Sequence, residues 1–253
     1  MTLHELDRRL SDFLDLASVA AIDRSRNGLQ VARRPVEVRR VAFAVDASLE
    51  TFRRAAAWGA EVLVVHHGLF WSDPVLLVGS AYERVRFLVE NDLALWAAHF
   101  PLDIHLEVGN NAGIARQLGL VDVVPFGLHH GAKIGCKGRL SSPLPLARIA
   151  ALLGEGQPDP VTTLAFGPAE VRTVGIVSGS APLDVEQAVR ESLDAFVTGE
   201  PAHMIYHYCR EERINALFAG HYRTESHGPK ALAAWLARET DLETTWLDVP
   251  TGL

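Results

Sequence analysis

Histidines set beside carboxylates carry the clearest chemistry in this chain, and they gather in three places. The first is Val62-Leu63-Val64-Val65-His66-His67-Gly68, where two imidazoles follow an unbroken apolar run. Neutral imidazole is a common ligand for zinc, iron and nickel. The second is His99-Phe100-Pro101-Leu102-Asp103-Ile104-His105, followed by Glu107 and Gly109-Asn110-Asn111. Asp103 adds a hard oxygen donor that suits divalent ions. The third is Gly220-His221-Tyr222-Arg223-Thr224-Glu225-Ser226. A helix starting there would place His221 and Glu225, four residues apart, on one face.

Each segment also has an ordinary reading. Two histidines can sit in a polar loop, Asp103 can cap a turn with His105 at the surface, and a lone His-x-x-x-Glu arises often by chance. If the second segment stays extended, Asp103, His105 and Glu107 share one face. Neighbours on a strand point to opposite faces. His66 and His67 therefore share a site only if the strand ends there, which Gly68 permits, and one histidine per ion is the natural outcome. The three segments together say more. Four nitrogen or carboxylate ligands suffice for one zinc. Three histidines and two carboxylates, one of them bridging, suit a pair of ions about 3.5–4 Å apart.

The elements that must position these residues alternate. Strands are expected at Val41–Val45, Val62–Val65, Leu93–His99, Val171–Val177, Ala195–Thr198, Ala216–Ala219 and Thr244–Val249. Helices are expected at Leu49–Trp58, Tyr82–Asn91, Asn110–Leu118, Val185–Ser192, Met204–Arg210 and Pro229–Arg238. That alternation predicts an α/β architecture with ligands at the carboxyl ends of strands. Both halves run strand, helix, strand, helix, strand, so two similar lobes are expected, residues 1–125 and 126–253. The Gly/Pro-rich stretch from Pro125 to Pro145 is the expected linkage, and the last helix and strand could cross back to the first lobe.

The chain has 253 residues and a net charge of −7 without a long run of one sign, which argues against a nucleic-acid binder. Cys136 and Cys209 make no disulfide framework. The first helix, with Leu3, Leu6, Leu10, Phe13 and Leu14 at helical spacing, lacks the pattern of a signal peptide, and no apolar run spans a bilayer. A soluble, cytoplasmic protein with no membrane partner is expected.

Read together, the motifs Asn27-Gly28-Leu29-Gln30-Val31, His66-His67-Gly68-Leu69-Phe70-Trp71, His99-Phe100-Pro101-Leu102-Asp103 with Gly109-Asn110-Asn111, and Gly220-His221-Tyr222-Arg223-Thr224-Glu225 resemble a known family. It is the Ngg-one-interacting-factor-three family, also called the type-two homologue of GTP cyclohydrolase one or the dinuclear metal centre family. The resemblance spans almost the whole chain and matches its compact form. It implies two α/β lobes with a dinuclear metal site in the cleft between them. It implies that His66 and His221 hold one ion, His67 and Asp103 the other, and Glu225 bridges. It also implies a ring-shaped hexamer. Phe100 departs from the small polar residue frequent at that position, which bears on pocket shape and not on ligation.

Three functions fit such a site. One is a metal-dependent hydrolase of a nucleotide or related small molecule, cyclohydrolase-like by resemblance. The others are a non-catalytic metal chaperone or sensor, and a metal-stabilised regulatory scaffold. Two divalent ions per chain are expected, whether zinc, iron, manganese, nickel or cobalt. His99 and Glu200 are candidates to shuttle protons or to hydrogen-bond the ligands. Arg223, with Lys133, Lys137 and Arg139, is a candidate basic lining for a small-molecule ligand.

Overall fold

The computed structural model describes residues 1–156 and 159–253. The chain divides into two compact units, one of Met1–Val108 and Gly228–Val249, the other of Gly109–His227 and Pro250–Leu253.

The first unit opens with helix α1 (Leu3–Leu14), whose Thr2 and Glu5 form a reciprocal capping box. Strand β1 (Gly28–Val31) and strand β2 (Arg40–Asp46) follow. Helix α2 (Leu49–Trp58) is capped by Ser48 and stopped by Gly59 in the left-handed conformation. Then come β3 (Val62–His67), α3 (Gly79–Glu90), β4 (Ala94–Ala97) and the short helix α4 (Phe100–Ile104).

The second unit begins with α5 (Asn110–Leu118) and the strands β5 (Leu120–His129) and β6 (Ala132–Pro145). Next are α6 (Leu146–Leu153), β7 (Thr162–Ala165), β8 (Glu170–Ile176) and α7 (Val185–Arg190). It closes with β9 (Ala195–Thr198), α8 (Ile205–Glu212), β10 (Asn215–Phe218) and α9 (His221–Glu225). Helix α10 (His227–Glu239) and strand β11 (Glu243–Trp246) then complete the first unit, β11 joining its sheet.

That first sheet has the order β1-β4-β3-β2-β11, with β11, β2, β3 and β4 parallel and β1 antiparallel to β4. Both faces are covered, as a parallel sheet requires. The period of two along each strand sorts the core. Val41, Phe43, Val62, Val64 and Trp96 pack with Leu6, Leu10 and Leu14 of α1 and with Leu232 and Leu236 of α10. Ala42, Ala44, Leu63, Val65 and Leu95 pack with Phe52 of α2 and Leu88 of α3. Each such aliphatic or aromatic burial contributes about 1.5–3 kcal/mol before the entropy of ordering is counted.

The second sheet has the order β5-β6-β8-β9-β10-β7. Its parallel centre, β8-β9-β10, repeats the β2-β3-β4 arrangement, with a helix in each crossover. Val174, Ile176, Val197 and Leu217 pack on Ile114 and Leu118 of α5 and on Ile149 and Leu153 of α6.

The stretch read from sequence as a linkage, Pro125 to Pro145, is instead most of a β-hairpin. His130 and Gly131 turn it with φ of 46° and 93°, between the paired residues His129 and Ala132. Two positive-φ residues are what a tight hairpin turn needs. Periodicity hid β5 because Val121, Val123 and Val124 are all exposed on this edge strand. Residues 125 and 126, where the change of lobe was expected, lie inside β5, and α10 and β11 belong to the first unit. No helix among the described residues is long and apolar enough to cross a membrane.

Candidate metal-binding site

In the first unit the chemistry gathers at the carboxyl ends of three parallel strands, where open α/β sheets hold ligands. Strand β3 runs through both His66 and His67, yet their ring centroids are 4.6 Å apart. Each ring is hooked to a different neighbour. His66 Nδ1 lies 2.9 Å from the Ala98 carbonyl beyond β4, and His67 Nδ1 lies 2.9 Å from Asp46 Oδ1 at the end of β2. The two rings are drawn together in spite of the strand's alternation. His99, just past β4, joins them with its Nδ1 2.9 Å from Asp23 Oδ1. His66, His67 and His99 each offer a ring nitrogen, and these lie within 4.8 Å of one another, a grouping able to hold a metal ion.

These anchors fix the tautomers. A carbonyl oxygen only accepts, so His66 Nδ1 carries the proton and Nε2 keeps its lone pair. Carboxylates do the same for His67 and His99. This is the arrangement by which proteins orient metal-binding imidazoles. Burial pushes the Asp23 carboxyl up, but hydrogen bonds from His99, Asn27 and the Ser25 N–H outweigh it and hold it below the usual carboxylate range. Asp23 is therefore an anion facing His99.

Asp103 is not on an extended segment. Pro101 starts the short helix α4, which buries Asp103 and sets its Oδ1 3.6 Å from His66 Nε2. That is too long for a hydrogen bond. It is close to the roughly 3.0–3.5 Å that separates two donors each about 2.1 Å from one ion. His105 and Glu107 do not share Asp103's face. His105 Nε2 donates to the Phe13 carbonyl, and its Nδ1 accepts from the Glu107 and Val108 N–H groups. Glu107 pairs with Arg238. Phe100 stacks on His99 with centroids 4.4 Å apart.

The Asn27–Gln30 motif braces this constellation. Asn27 accepts the His99 N–H and donates to Asp23. Gln30 accepts the Leu69 and Phe70 N–H groups and packs over Gly68, where an added Cβ would lie 2.4 Å from it.

In the second unit the same topology recurs. Residues 177–179 follow β8, Gly199-Glu200 follows β9, and Gly220-His221 follows β10. Helix α9 puts His221 Nε2 2.9 Å from Glu225 Oε2. His221 Nδ1 lies 2.5 Å from Glu200 Oε1, so this histidine too presents Nε2. That hydrogen bond holds Glu200 below the usual carboxylate range, against the opposing effect of burial. Glu225 is buried. Gly179 has φ +67°, and a Cβ there would sit 2.2 Å from Glu225 Oε1 and 3.3 Å from His221 Nε2. A cradle closed to any side chain therefore borders both donors.

Arg223, two residues from each donor, hydrogen-bonds the Asp159 carbonyl, and burial lowers its pKa. Lys137 and Arg139 pair with Glu191 and Asp122, so those two are ordinary surface ion pairs. Asp23, Asp46 and Gly179 carry weight in these sites that the sequence reading missed. Asp46 directly follows the predicted strand Val41–Val45, which neighbours the one carrying His66 and His67, and that was the available signal.

The family model described as Duf34/NIF3 (NGG1p interacting factor 3) matches residues 1–251. A GTP cyclohydrolase 1 type 2 homolog of Archaeoglobus fulgidus is 43% identical over 253 residues, covering all of both chains. A protein of the same name from Deinococcus radiodurans is 43% identical over 98% of this chain and 94% of its own. The solved structure of TTHA1606 from Thermus thermophilus superposes with a TM-score of 0.90 at 41% identity, covering all of both chains. With its α/β units and its histidine-bearing strand ends, the chain belongs to the Duf34/NIF3 family.

Proposed function

We propose that this chain binds divalent metal ions through His66, His67 and Asp103 of the first unit and His221 and Glu225 of the second. We further propose that it uses them to hydrolyse a nucleotide or related small molecule. The observation that carries metal binding is the shared anchoring of His66, His67 and His221. Each has Nδ1 on an oxygen acceptor, so each offers Nε2 as a donor. The family resemblance assigns the five residues to one dinuclear centre bridged by Glu225, in a ring of six copies.

Imidazole and carboxylate donors without thiolate suit zinc, iron, manganese, nickel or cobalt. Such ions supply Lewis acidity toward phosphoryl or carbonyl oxygens and activate water near neutral pH. The chain's own part is to hold the donors. Asp46 and Glu200 fix the imidazole tautomers of His67 and His221, and Gly179 keeps space beside Glu225. His99, with its Nδ1 on Asp23, stands beside His66 and His67, placed to accept or return a proton. The hydrolytic reading is supported by the name of the relatives, GTP cyclohydrolase 1 type 2 homolog.

The test is elemental analysis of protein purified without added metal or chelator. About two ions per chain are expected, falling in Asp103→Ala and Glu225→Ala. A ratio near zero that added metal does not raise overturns the proposal. Metal-loaded protein is then assayed with GTP and with small phosphate esters; metal binding without turnover of any of them rejects hydrolysis and leaves a metal carrier or sensor. Light scattering at six chain masses is the expected outcome for the ring.

A further inference from the structure

We infer that the first unit carries a second binding site, for a small oxyanion, at the end of its sheet remote from the histidines. A cavity of about 420 Å³ is lined by Ala32, Arg33, Arg34, Val89, Glu90 and Asp92. Arg33 and Arg34 follow β1, and Asp92 precedes β4. His99 lies beyond the other end of β4, seven residues from Asp92, a separation of about 20 Å along the strand direction.

The Arg33 guanidinium is the reason to assign a ligand. Its side chain is only 9% exposed, rare for a charged group. Its Nε donates to the Asp92 carbonyl at 3.1 Å and its Nη2 to Asp92 Oδ2 at 3.0 Å. Those two nitrogens form one edge of the planar fork, so Nη1 faces away from Asp92. Nη1 is buried and has no hydrogen-bond partner among the described residues. A buried guanidinium N–H left unmet is costly, and an incoming acceptor oxygen removes that cost.

Asp92 has nothing more to give. Its Oδ1 accepts the Arg34 N–H at 2.9 Å, and its Oδ2 is also 3.2 Å from Arg34 Nε. Two guanidinium groups thus share one carboxylate, which leaves one positive charge in excess at this pair. Asp92 holds φ of 50°, a conformation that short polar residues tolerate and that these four contacts enforce. The Glu90 carboxylate also lines the cavity and lies 4.0 Å from Arg86, which Glu83 holds more closely at 2.6 Å. Ala32 and the exposed Val89 give the cavity an apolar wall. A small oxyanion, a carboxylate or a phosphate, with a short apolar stem matches this lining.

The experiment is calorimetric titration of the full chain with acetate and, separately, with inorganic phosphate. It is repeated on Val89→Glu, which sets a negative charge at an exposed wall position and leaves the Arg33–Asp92 pair intact. Arg33→Gln is the second variant. Saturable binding with Kd on the order of 1 mM is expected for one probe, weakened at least about tenfold in Val89→Glu. The Arg33 Nε–H nuclear magnetic resonance of the wild type should shift on titration. Binding of acetate alone assigns a carboxylate ligand, and binding of phosphate alone a phosphate ester. Equal affinity in wild type and Val89→Glu places the anion elsewhere and overturns the site, as does no saturable binding of either probe. Metal content must be the same in wild type and Val89→Glu, which separates this result from the fate of the metal proposal.

Discussion

Replacing Gly179 by alanine tests the second unit's donor pair with little room for escape. Two effects add. The backbone sits at φ +67°, a left-handed conformation that costs a residue with a Cβ about 1–2 kcal/mol. The new Cβ would also lie 2.2 Å from Glu225 Oε1, whereas ordinary contact begins at 3.4 Å, so the carboxylate must retreat by about 1 Å. The backbone is pinned and cannot yield. The Gly179 N–H donates to Thr224 Oγ1, and its carbonyl accepts from the N–H groups of Gly199 and Glu200 and from the Thr198 hydroxyl. Glu225 therefore moves, and its relation to His221 is lost.

Gly119→Ala supplies the control. It has φ +69° and nothing within 4 Å of the added Cβ, so it carries the backbone strain alone. At about 2–4 °C per kcal/mol for a chain of this size, Gly119→Ala should melt about 2–8 °C below wild type with full metal content. Gly179→Ala should melt lower still and, on the proposed metal binding, lose metal and with it the stabilisation that an ion bound to the native state would give. Differential scanning calorimetry with parallel elemental analysis reads both quantities. Wild-type metal content in Gly179→Ala, or identical behaviour of the two variants, would refute the reasoning.

Three further outcomes are expected. Asp46→Asn removes the carboxylate that orients His67 and should weaken metal affinity about 10–100-fold in a chelator competition, with little change in fold. The Asp92 carboxyl is held below its ordinary range, first by the Arg34 N–H and then by the Arg33 and Arg34 side chains, against an opposing effect of burial. A depressed carboxylate contributes stability above its unfolded pKa, about 3.9. The difference between wild type and Asp92→Asn in urea titrations should thus be full near neutral pH and shrink as pH falls through the folded value. Burial pushes Cys136 up to about 12 and Cys209 up to about 11, and both thiols are free. Neither should react with a thiol reagent at about pH 8 in the native state, and both should react in denaturant; rapid native labelling would contradict their burial.

The sequence by itself determined the parallel strands and the kinds of candidate donor. Apolar runs such as Val62–Val65 suit a parallel sheet buried on both faces, so the polar candidates fall at their ends. Helix α2 and strand β9 have the bounds read from the residues, because Ser48 and Gly59 cap the one and four apolar or β-branched residues make the other. Helix α5, stopped by Gly119, was equally plain. Family membership was legible too, since the motifs keep their order along the whole chain.

Only the tertiary structure decided which histidine nitrogen faces outward. That choice rests on Asp23, Asp46 and the Ala98 carbonyl, which lie 76, 21 and 32 residues from the rings they hold. No local periodicity encodes such a partner, because an imidazole accepts any oxygen the fold delivers to it. The same reasoning covers His105, which looked like a companion of Asp103. Asp103 lies inside helix α4, which ends at Ile104, whereas His105 is extended just beyond it and spends both nitrogens on backbone groups. The β5–β6 hairpin was hidden for the opposite reason. An edge strand whose valines are exposed and whose one large buried side chain is Phe126 has too little buried face to imprint a pattern, and its turn is written in the φ angles of His130 and Gly131.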